Sequence, residues 1–334
     1  MNSLQSDHWL ISTLARFNHR LLSVFALVMV TLGTSPAASA GGDRAPVNEI
    51  RDAATDGFVH IRVLRGRVEV SGWDKPQIQV SGVLDEELRE FVFDVENKEA
   101  RIEVKIPQKS EGWQDQGSDL TIHVPENSSV QITSISTGLV VENIQGGVEI
   151  GNVSGDIRAS RVANRLEVDS VSGDITIRDA RARLRVNTVS GDIDIDGAQG
   201  GRFNTVSGSM RLDNPGSELR LGSISGDIEI RSTTTTDISG QSVSGDIEIS
   251  TALVTDGAIE LDNASGSIRL ALAGKVNAQF DIETGAGGSI RNRLTDDEPR
   301  VSKYVRNESL RFTAGSGEGE VTLSTASGDI TLTQ

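Results

Sequence analysis

The stretch "VDSVSGDITI", residues 168–177, recurs along the chain with few changes. Close copies are "VNTVSGDIDI" at 186–195, "LGSISGDIEI" at 221–230 and "LSTASGDITL" at 323–332. When the third residue of each Ser-Gly-Asp is taken as position zero, successive copies are 17 to 22 residues apart, with one final gap of 40. Such a period is typical of repeat architectures in which each unit packs on its neighbours. The zero positions are Gly138, Asp156, Asp174, Asp192, Ser209, Asp227, Asp246, Ser267, Ser289 and Asp329.

Apolar side chains occupy fixed positions within each repeat. In the opening copy, positions −8 and −6 are Leu166 and Val168, and positions +1 and +3 are Ile175 and Ile177. Steps of two and an excess of β-branched residues predict short strands. Position −3, which is Val171 here, is also apolar but lies an odd number of residues from −6. We therefore expect −3 to face the core, with a corner near −5 or −4, where position −4 is small and polar, and a glycine at −1 required by the backbone or by close packing.

A unit of this size cannot bury its own apolar side chains, whereas stacked units can. The sequence therefore predicts an all-β fold, a single-stranded parallel β-solenoid (β-helix-like) of about ten ~18-residue coils stacked ~4.8 Å apart. Alternating strands predict an N-terminal antiparallel β region at 41–125 that caps the solenoid repeats at 126–334. Residues 291–320 break the period and are expected to form an irregular insertion, either a hairpin or a loop.

Composition excludes several kinds of chemistry. The 334 residues include no cysteine, so disulfides, zinc–thiolate sites and thiol nucleophiles are ruled out. The net charge is −16, which argues against nucleic acid as a partner because phosphate binding needs a concentrated positive surface. Aromatic residues are only 4% of the chain, yet Val, Ile and Leu are common enough to predict an ordered fold.

Residues 1–40 predict a secretory signal peptide. Arg16 and Arg20 precede the apolar run "LLSVFALVMVTLG" at 21–33, and "ASA" at 38–40 offers small residues at a cleavage site. The alternative, a membrane anchor, is disfavoured because the run is shorter than the roughly 20 residues that span a bilayer. We expect an exported protein, periplasmic or extracellular at the cell surface, with no membrane span after cleavage.

The aspartates at position zero form a repeated acidic column. Stacked carboxylates could collect Ca²⁺, which prefers six to eight oxygen ligands. Alternatively, each aspartate bonds to backbone at the bend. Serine at 209, 267 and 289, and the lack of a second regular acidic column, favour the backbone role, so no metal site is predicted. The column comprises Asp156, Asp174, Asp192, Asp227, Asp246 and Asp329.

An exposed column at position −7 contains three successive arginines. They could grip a phosphate or carboxylate on an envelope glycan, because guanidinium groups bind both in a bidentate manner. Alternatively, they belong to a solvated face on which neighbouring acids neutralise them, and we favour this interpretation. The column comprises Glu149, Glu167, Arg185, Arg202 and Arg220.

Catalysis is not indicated by the residues present. After the signal segment the histidines are His60 and His123, which lie on predicted strands away from any motif. A polysaccharide-processing enzyme on a β-helix scaffold needs a singular carboxylate pair, whereas the aspartates here are periodic. We predict no catalytic residues, no cofactor and no enzymatic activity.

The order of motifs resembles a known family. "VEVSGWDKPQIQVSG" at 68–82, "SDLTIHVPENSSVQI" at 118–132 and the serial "VSGDI" coils are similar to the bacterial putative-adhesin family of β-strand-repeat proteins, a domain family of unknown function. The resemblance covers nearly the whole chain after the signal segment. It implies a β-helix-like fold in the bacterial envelope, and it supplies no catalytic residues to carry over.

These observations predict an exported, non-enzymatic, adhesin-like structural or binding module of the cell envelope. Its partner would be an envelope macromolecule, either a protein or a glycan. Two alternatives stay open. One is the polysaccharide-processing enzyme, and the other is an envelope-stress accessory protein that acts through a protein partner.

Overall fold

The structure is a computed structural model that describes residues 44–107, 117–304 and 306–334. The predicted signal segment 1–40 therefore lies outside the described residues. Those that are described contain strands and no helix, and hence no helix that is long and apolar enough to cross a membrane. The chain from Arg44 to Gln334 is one compact unit.

The first six strands build the N-terminal region. They are β1 (Pro46–Asp52), β2 (Phe58–Trp73), β3 (Gln77–Val83), β4 (Glu90–Glu96), β5 (Glu99–Lys105) and β6 (Ser118–Pro125). Antiparallel pairs join β1 to β3, β3 to β6 and β4 to β5, so the predicted antiparallel region is present. The long strand β2 pairs in parallel with β5 and β6 on one side and with the first strand of the repeats, β7 (Ser129–Glu142), on the other.

The repeats form two parallel ladders that belong to one continuous sheet. The first ladder carries the residues before each Ser-Gly-Asp corner. Its strands are β7 (Ser129–Glu142), β8 (Val148–Ser154), β10 (Ala163–Ser172), β12 (Arg181–Ser190), β14 (Gly201–Ser207), β16 (Glu218–Ser225), β18 (Thr235–Ser244), β20 (Leu253–Ser265), β22 (Ala278–Thr284) and β26 (Gly319–Thr325).

The second ladder carries the residues after each corner. It begins with the C-terminal half of β7, which pairs with β9. The other strands are β9 (Ile157–Ser160), β11 (Ile175–Arg178), β13 (Ile193–Asp196), β15 (Met210–Asp213), β17 (Ile228–Arg231), β19 (Ile247–Thr251), β21 (Ile268–Leu272), β23 (Ile290–Asn292) and β27 (Ile330–Thr333). This all-β architecture of stacked parallel coils confirms the predicted solenoid.

The core consists of the apolar columns predicted at −8, −6, +1 and +3. In the opening repeat Leu166, Val168, Ile175 and Ile177 are all fully buried. Register pairs like with like, for example Ile175 with Ile157 and with Ile193, so each side chain stacks on its counterpart in the next coil. The packing contacts between aliphatic side chains of adjacent coils are individually weak, but they repeat along the whole stack and stabilise the fold without large aromatic residues.

The predicted corner at −4 is wrong. Val171, at position −3, is only half-buried, whereas Ser170, at −4, is 1% exposed. The strand continues through −4, and the bend falls at the glycine of position −1, where Gly173 has φ +112°. The −4 side chains are all buried: Ser134, Asn152, Ser170, Thr188, Thr205, Ser223, Ser242, Asn263 and Thr325.

Hydrogen bonds explain why a polar residue is buried at −4. The Thr188 hydroxyl donates to the carbonyl oxygen of Ser190, 3.2 Å away, within the corner itself. The amide of Asn152 donates to the carbonyl oxygens of Thr137 and Gly155, both at 3.0 Å. In these coils the buried polar group is satisfied by main-chain carbonyls of the corner, and a polar group is costly to bury without such a partner. Among the described residues, the buried hydroxyls of Thr205 and Ser223 have no hydrogen-bond partner.

The order of the last coils departs from sequential stacking. Strands β26 and β27, the last in sequence, pair with β20 and β21 on one side and with β22 and β23 on the other. The C-terminal coil is therefore inserted between two coils that precede it in the chain. The segment 291–320 supplies β24 (Arg300–Val301) and β25 (Glu308–Ala314), and β25 pairs antiparallel with β22. Phe280 and Phe312 stack across this pairing with ring centroids 4.4 Å apart.

Candidate functional site

The aspartates at position zero are structural links between coils. The main-chain N–H of Asp192 donates to Oδ1 of Asp174 at 3.0 Å, and that of Ser209 donates to Oδ1 of Asp192 at 2.8 Å. The same link joins Ser267 to Asp246, at 2.8 Å. The partner is thus the next coil rather than the local turn. Because the corner interrupts the ladder here, the carboxylate replaces a main-chain acceptor.

Some aspartates of the column also make ion pairs within the same surface. Asp246 pairs with Arg269 at 2.9 Å, and Asp329 pairs with Arg291 at 3.6 Å. The backbone N–H of Ser267 is the main cause that lowers the pKa of Asp246, and the hydroxyl of Ser289 is the main cause that lowers the pKa of Asp329. Within the described ranges, no group of three or more His, Asp or Glu is placed to hold a metal ion.

The two histidines occupy separate strands and different surroundings. His60 Nδ1 lies 2.9 Å from Oε1 of Gln131, and His123 Nδ1 lies 3.2 Å from Oγ of Ser71. Burial, followed by the charge of Lys75, lowers the pKa of His123. A serine–histidine nucleophile also needs a third group that orients the imidazole. Among the described residues no carboxylate contacts His123, so this pair is not an activated nucleophile.

A depression of about 600 Å³ opens where the repeat is shortest. The coil between Asp192 and Ser209 has 17 residues, and it carries Gly200 and Gly201 where the flanking coils carry long side chains. Gly200 has φ +90°, and a Cβ there would lie 2.7 Å from the carbonyl oxygen of Glu218, so only glycine suits this backbone. The gap on the first ladder lies at this short coil, which has no long side chain at −9 or −8.

Arginines surround this gap. In register, Arg202 lies directly opposite Arg185 on one neighbouring strand and Arg220 on the other. Arg165 and Arg183, two positions earlier in their strands, also line the depression. Like charges directly opposite in a sheet are destabilising, so this arrangement costs stability unless anions compensate for it. We call these five residues and Glu218 the arginine pocket.

Four of the five arginines form ion pairs with carboxylates of the chain. Arg220 pairs with Asp237 at 2.7 Å, and the Asp237 carboxylate raises the pKa of this arginine. Arg183 pairs with Glu218 at 2.8 Å. Buried Glu167 serves both remaining arginines: it pairs with Arg165, and it lies 3.7 Å from Arg185 Nε.

Arg202 has no ion-pair or hydrogen-bond partner among the described residues, and its side chain is exposed. Five guanidinium groups therefore face three carboxylates, which leaves two positive charges on a chain whose net charge is −16. The favoured prediction of a face neutralised by neighbouring acids describes Arg185 and Arg220 but does not describe Arg202.

The predicted column at −7 contains Arg185, Arg202 and Arg220. The structure adds three residues that this prediction did not include: Arg165, Arg183 and Glu218. These three share position −9, at which the intervening coil has Gly200. A signal was present, because the shortest spacing and an adjacent glycine pair coincide there. Side chains at −9 and −7 point the same way along a strand, so both columns line one depression.

The chain is similar to several known proteins. A family model described as Toastrack DUF4097 matches residues 68–333. A putative adhesin from Bacteroides fragilis is similar at 13% identity, over 87% of this chain and 98% of its own, with a TM-score of 0.41. A putative lipid binding protein from Parabacteroides distasonis is similar at 14% identity, over 86% and 97% of the two chains, with a TM-score of 0.40.

A putative cell adhesion protein from Clostridium sporogenes is similar at 11% identity over 87% of this chain and all of its own, with a TM-score of 0.21. No curated protein matches the sequence.

Proposed function

Because the chain belongs to the Toastrack DUF4097 family, the putative-adhesin family that its motifs resemble, we propose that it is an exported, non-enzymatic binding module of the bacterial cell envelope. The arginine pocket would hold an anionic group of an envelope macromolecule, and the solenoid would act as the rigid support. Export is supported by the apolar run at 21–33 and by "ASA" at 38–40.

One observation carries the proposal. Arg202 is exposed and unpaired in the described part of the chain, and it lies between two arginines in direct register. A protein that only needed a solvated face could place a neutral or acidic residue there and avoid the repulsion. An oxyanion seated on Arg202 converts that repulsion into charge-assisted hydrogen bonds.

The solenoid suits a binding role better than a catalytic one. The carboxylates of the corners are occupied by main-chain N–H groups and by arginines, so they are not poised as acids or bases. The pocket contains donors and a single carboxylate, Glu218, which is itself paired. Such a set can bind and orient an anion, but it offers no paired acid and base.

Binding is tested with insoluble envelope material from the source bacterium. Purified protein is co-sedimented with this material, and the bound fraction is compared between wild type, Arg202→Gln and Arg211→Gln. Arg211 is a matched control, because it lies on the second ladder and pairs with Asp213 and Glu229, both at 3.3 Å. We expect about a tenfold or greater loss for Arg202→Gln and no loss for Arg211→Gln. Equal binding by all three proteins would reject the pocket as the site.

Export and the absence of turnover are measured separately. Cell fractionation should recover the protein, shortened near residue 40, outside the cytoplasm. Incubation of pure protein with isolated envelope polysaccharide should release no new reducing ends. Reproducible turnover would overturn the non-enzymatic part of the proposal in favour of a polysaccharide-processing enzyme, and full-length protein in the cytoplasm would overturn export.

A further inference from the structure

We infer that the arginine pocket recognises an acidic sugar, meaning a sugar unit that carries a carboxylate or phosphate oxyanion. This inference rests on the proposed binding function and adds the chemical class of the ligand. It is carried by three features of the pocket: its size, the chemistry of its lining and the ion pair that closes over it.

The depression is much larger than a bare ion needs. The depression measures about 600 Å³, whereas one water molecule takes up about 30 Å³ in the liquid. Pockets for small organic ligands are roughly 300–1,000 Å³. The pocket therefore has room for an organic group that continues well beyond the oxyanion bound at Arg202.

The lining selects a ligand rich in hydroxyl groups. Its polar groups are the guanidinium donors of five arginines, the carboxylate of Glu218 and the amide of Asn164. Leu184 also lines the depression, and no aromatic side chain is among the lining residues. An apolar ligand would strip water from these charges without replacing its hydrogen bonds, which is unfavourable. Sugar hydroxyls both donate and accept, so they can bond to arginine and to Glu218 together.

The excess positive charge of the arginine pocket favours a sugar that carries an oxyanion. Two positive charges are left over in the pocket. One is that of Arg202, and the other is divided between Arg165 and Arg185, because the single carboxylate of Glu167 pairs with both. Strands in register lie about 4.8 Å apart, so the guanidinium groups of Arg185 and Arg202 can meet at one carboxylate or phosphate. The planar fork of arginine matches either oxyanion in a bidentate manner.

A surface ion pair spans the pocket. Arg183 and Glu218 lie two coils apart, on β12 and β16, and their side chains meet at 2.8 Å across the coil that carries Gly200 and Gly201. Both side chains are exposed, so the pair is weak and exchangeable. A ligand oxyanion would compete with the Glu218 carboxylate for Arg183. This competition predicts that neutralising Glu218 tightens binding.

Isothermal titration at low salt tests the inference with defined probes. These are trigalacturonate, its fully methyl-esterified neutral form, glucose 6-phosphate and inorganic phosphate. We expect wild type to bind at least one of the two acidic sugars, and to bind the neutral ester at least about tenfold more weakly than trigalacturonate. Arg202→Gln should weaken binding of the acidic sugar about 10- to 100-fold, Glu218→Gln should strengthen it, and Arg211→Gln should leave it unchanged. Arg202→Lys retains the charge without the fork and should fall between wild type and Arg202→Gln.

The outcomes separate this inference from the proposed function. If neither acidic sugar binds while envelope binding still depends on Arg202, the sugar assignment is wrong and the binding function stands. If an acidic sugar binds wild type and Arg202→Gln equally, the pocket is not its site. If inorganic phosphate binds as tightly as glucose 6-phosphate and trigalacturonate does not bind, the pocket holds an ion only, and the inference is overturned.

Discussion

Replacing Gly173 with alanine tests the structural role assigned to the repeated Ser-Gly-Asp. Gly173 has φ +112°, and an added Cβ would lie 2.5 Å from the carbonyl oxygen of Gly155 in the neighbouring coil. A non-glycine residue in such a backbone conformation costs about 1–3 kcal/mol. Forcing an extra methyl between close-packed coils costs about another 1–3 kcal/mol. The substitution should therefore lower the free energy of unfolding by about 2–6 kcal/mol, a large part of a typical 5–15 kcal/mol.

Two other glycines separate these causes. Gly274 has φ +78° with nothing within 4 Å of an added Cβ, so alanine there should cost only the backbone contribution of about 1–2 kcal/mol. Gly138 is outside the positive-φ residues and is also open, so alanine there should change stability by no more than about 0.5 kcal/mol. Urea unfolding followed by circular dichroism gives the midpoints. If Gly173→Ala and Gly138→Ala unfold at the same urea concentration, the corner is not where the structure places it.

Three further predictions follow from the links between coils. Asp174→Ala should destabilise the protein by about 1 kcal/mol because the N–H of Asp192 loses its acceptor, whereas Asp174→Asn, which retains an acceptor oxygen, should cost less; urea midpoints that fall equally for both would contradict this. The pKa values of Asp246 and Asp329 are lowered in the folded state, so their stabilising effect is present above the ordinary carboxylate pKa of about 4 and is lost as the pH falls through the lowered values. The melting temperature should fall on acidification in this range, and the fall should be smaller in the variant Asp246→Ala; an unchanged pH profile would refute the role of that carboxylate. Deleting residues 319–334 removes a coil that separates β20 and β21 from β22 and β23, so hydrogen exchange should increase in both flanking coils, and protection that persists there would contradict the inserted order.

The period and the apolar columns were sufficient to predict the solenoid. Leu166, Val168, Ile175 and Ile177 are buried as their spacing indicates, because a side chain that alternates along a strand must face one side of the sheet. Repetition made this signal strong, since the same columns recur in every regular coil. The antiparallel N-terminal region was visible for a similar reason, in its alternating segments.

The spacing misplaces the corner because apolar character alone does not identify the inward residue. Val171 is apolar and Ser170 is polar, yet the serine is the more deeply buried of the two. Its hydroxyl lies 3.4 Å from the carbonyl oxygen of Ser172 inside the bend, a contact that spacing cannot reveal. A serine at −4 can bond to the main chain of the corner and a valine cannot, and this difference is not visible in hydrophobic spacing.

The inserted C-terminal coil and the pocket escaped prediction for different reasons. Near-identical coils are almost equivalent partners, so sequence does not specify that β26 lies between β20 and β22. The pocket lies at the shortest coil and is spanned by an ion pair between residues 35 apart, Arg183 and Glu218. The repeat columns describe residues that the coils share, whereas this site lies at one coil that is shorter than its neighbours.

Hydrogen–deuterium exchange, measured with and without envelope material, tests the central claim most directly because it locates the contact surface whichever molecule of the envelope binds. The account predicts new protection in peptides that cover 163–168, 181–187 and 200–204, together with 218–222, which are the strands that surround Arg202. The Ser-Gly-Asp corners of the other coils should exchange as they do in the free protein. Protection spread along all the corners would show that the repeated motif binds and would contradict the account. An absence of protection around Arg202 would contradict it as well, because the arginine pocket would then not be the contact surface.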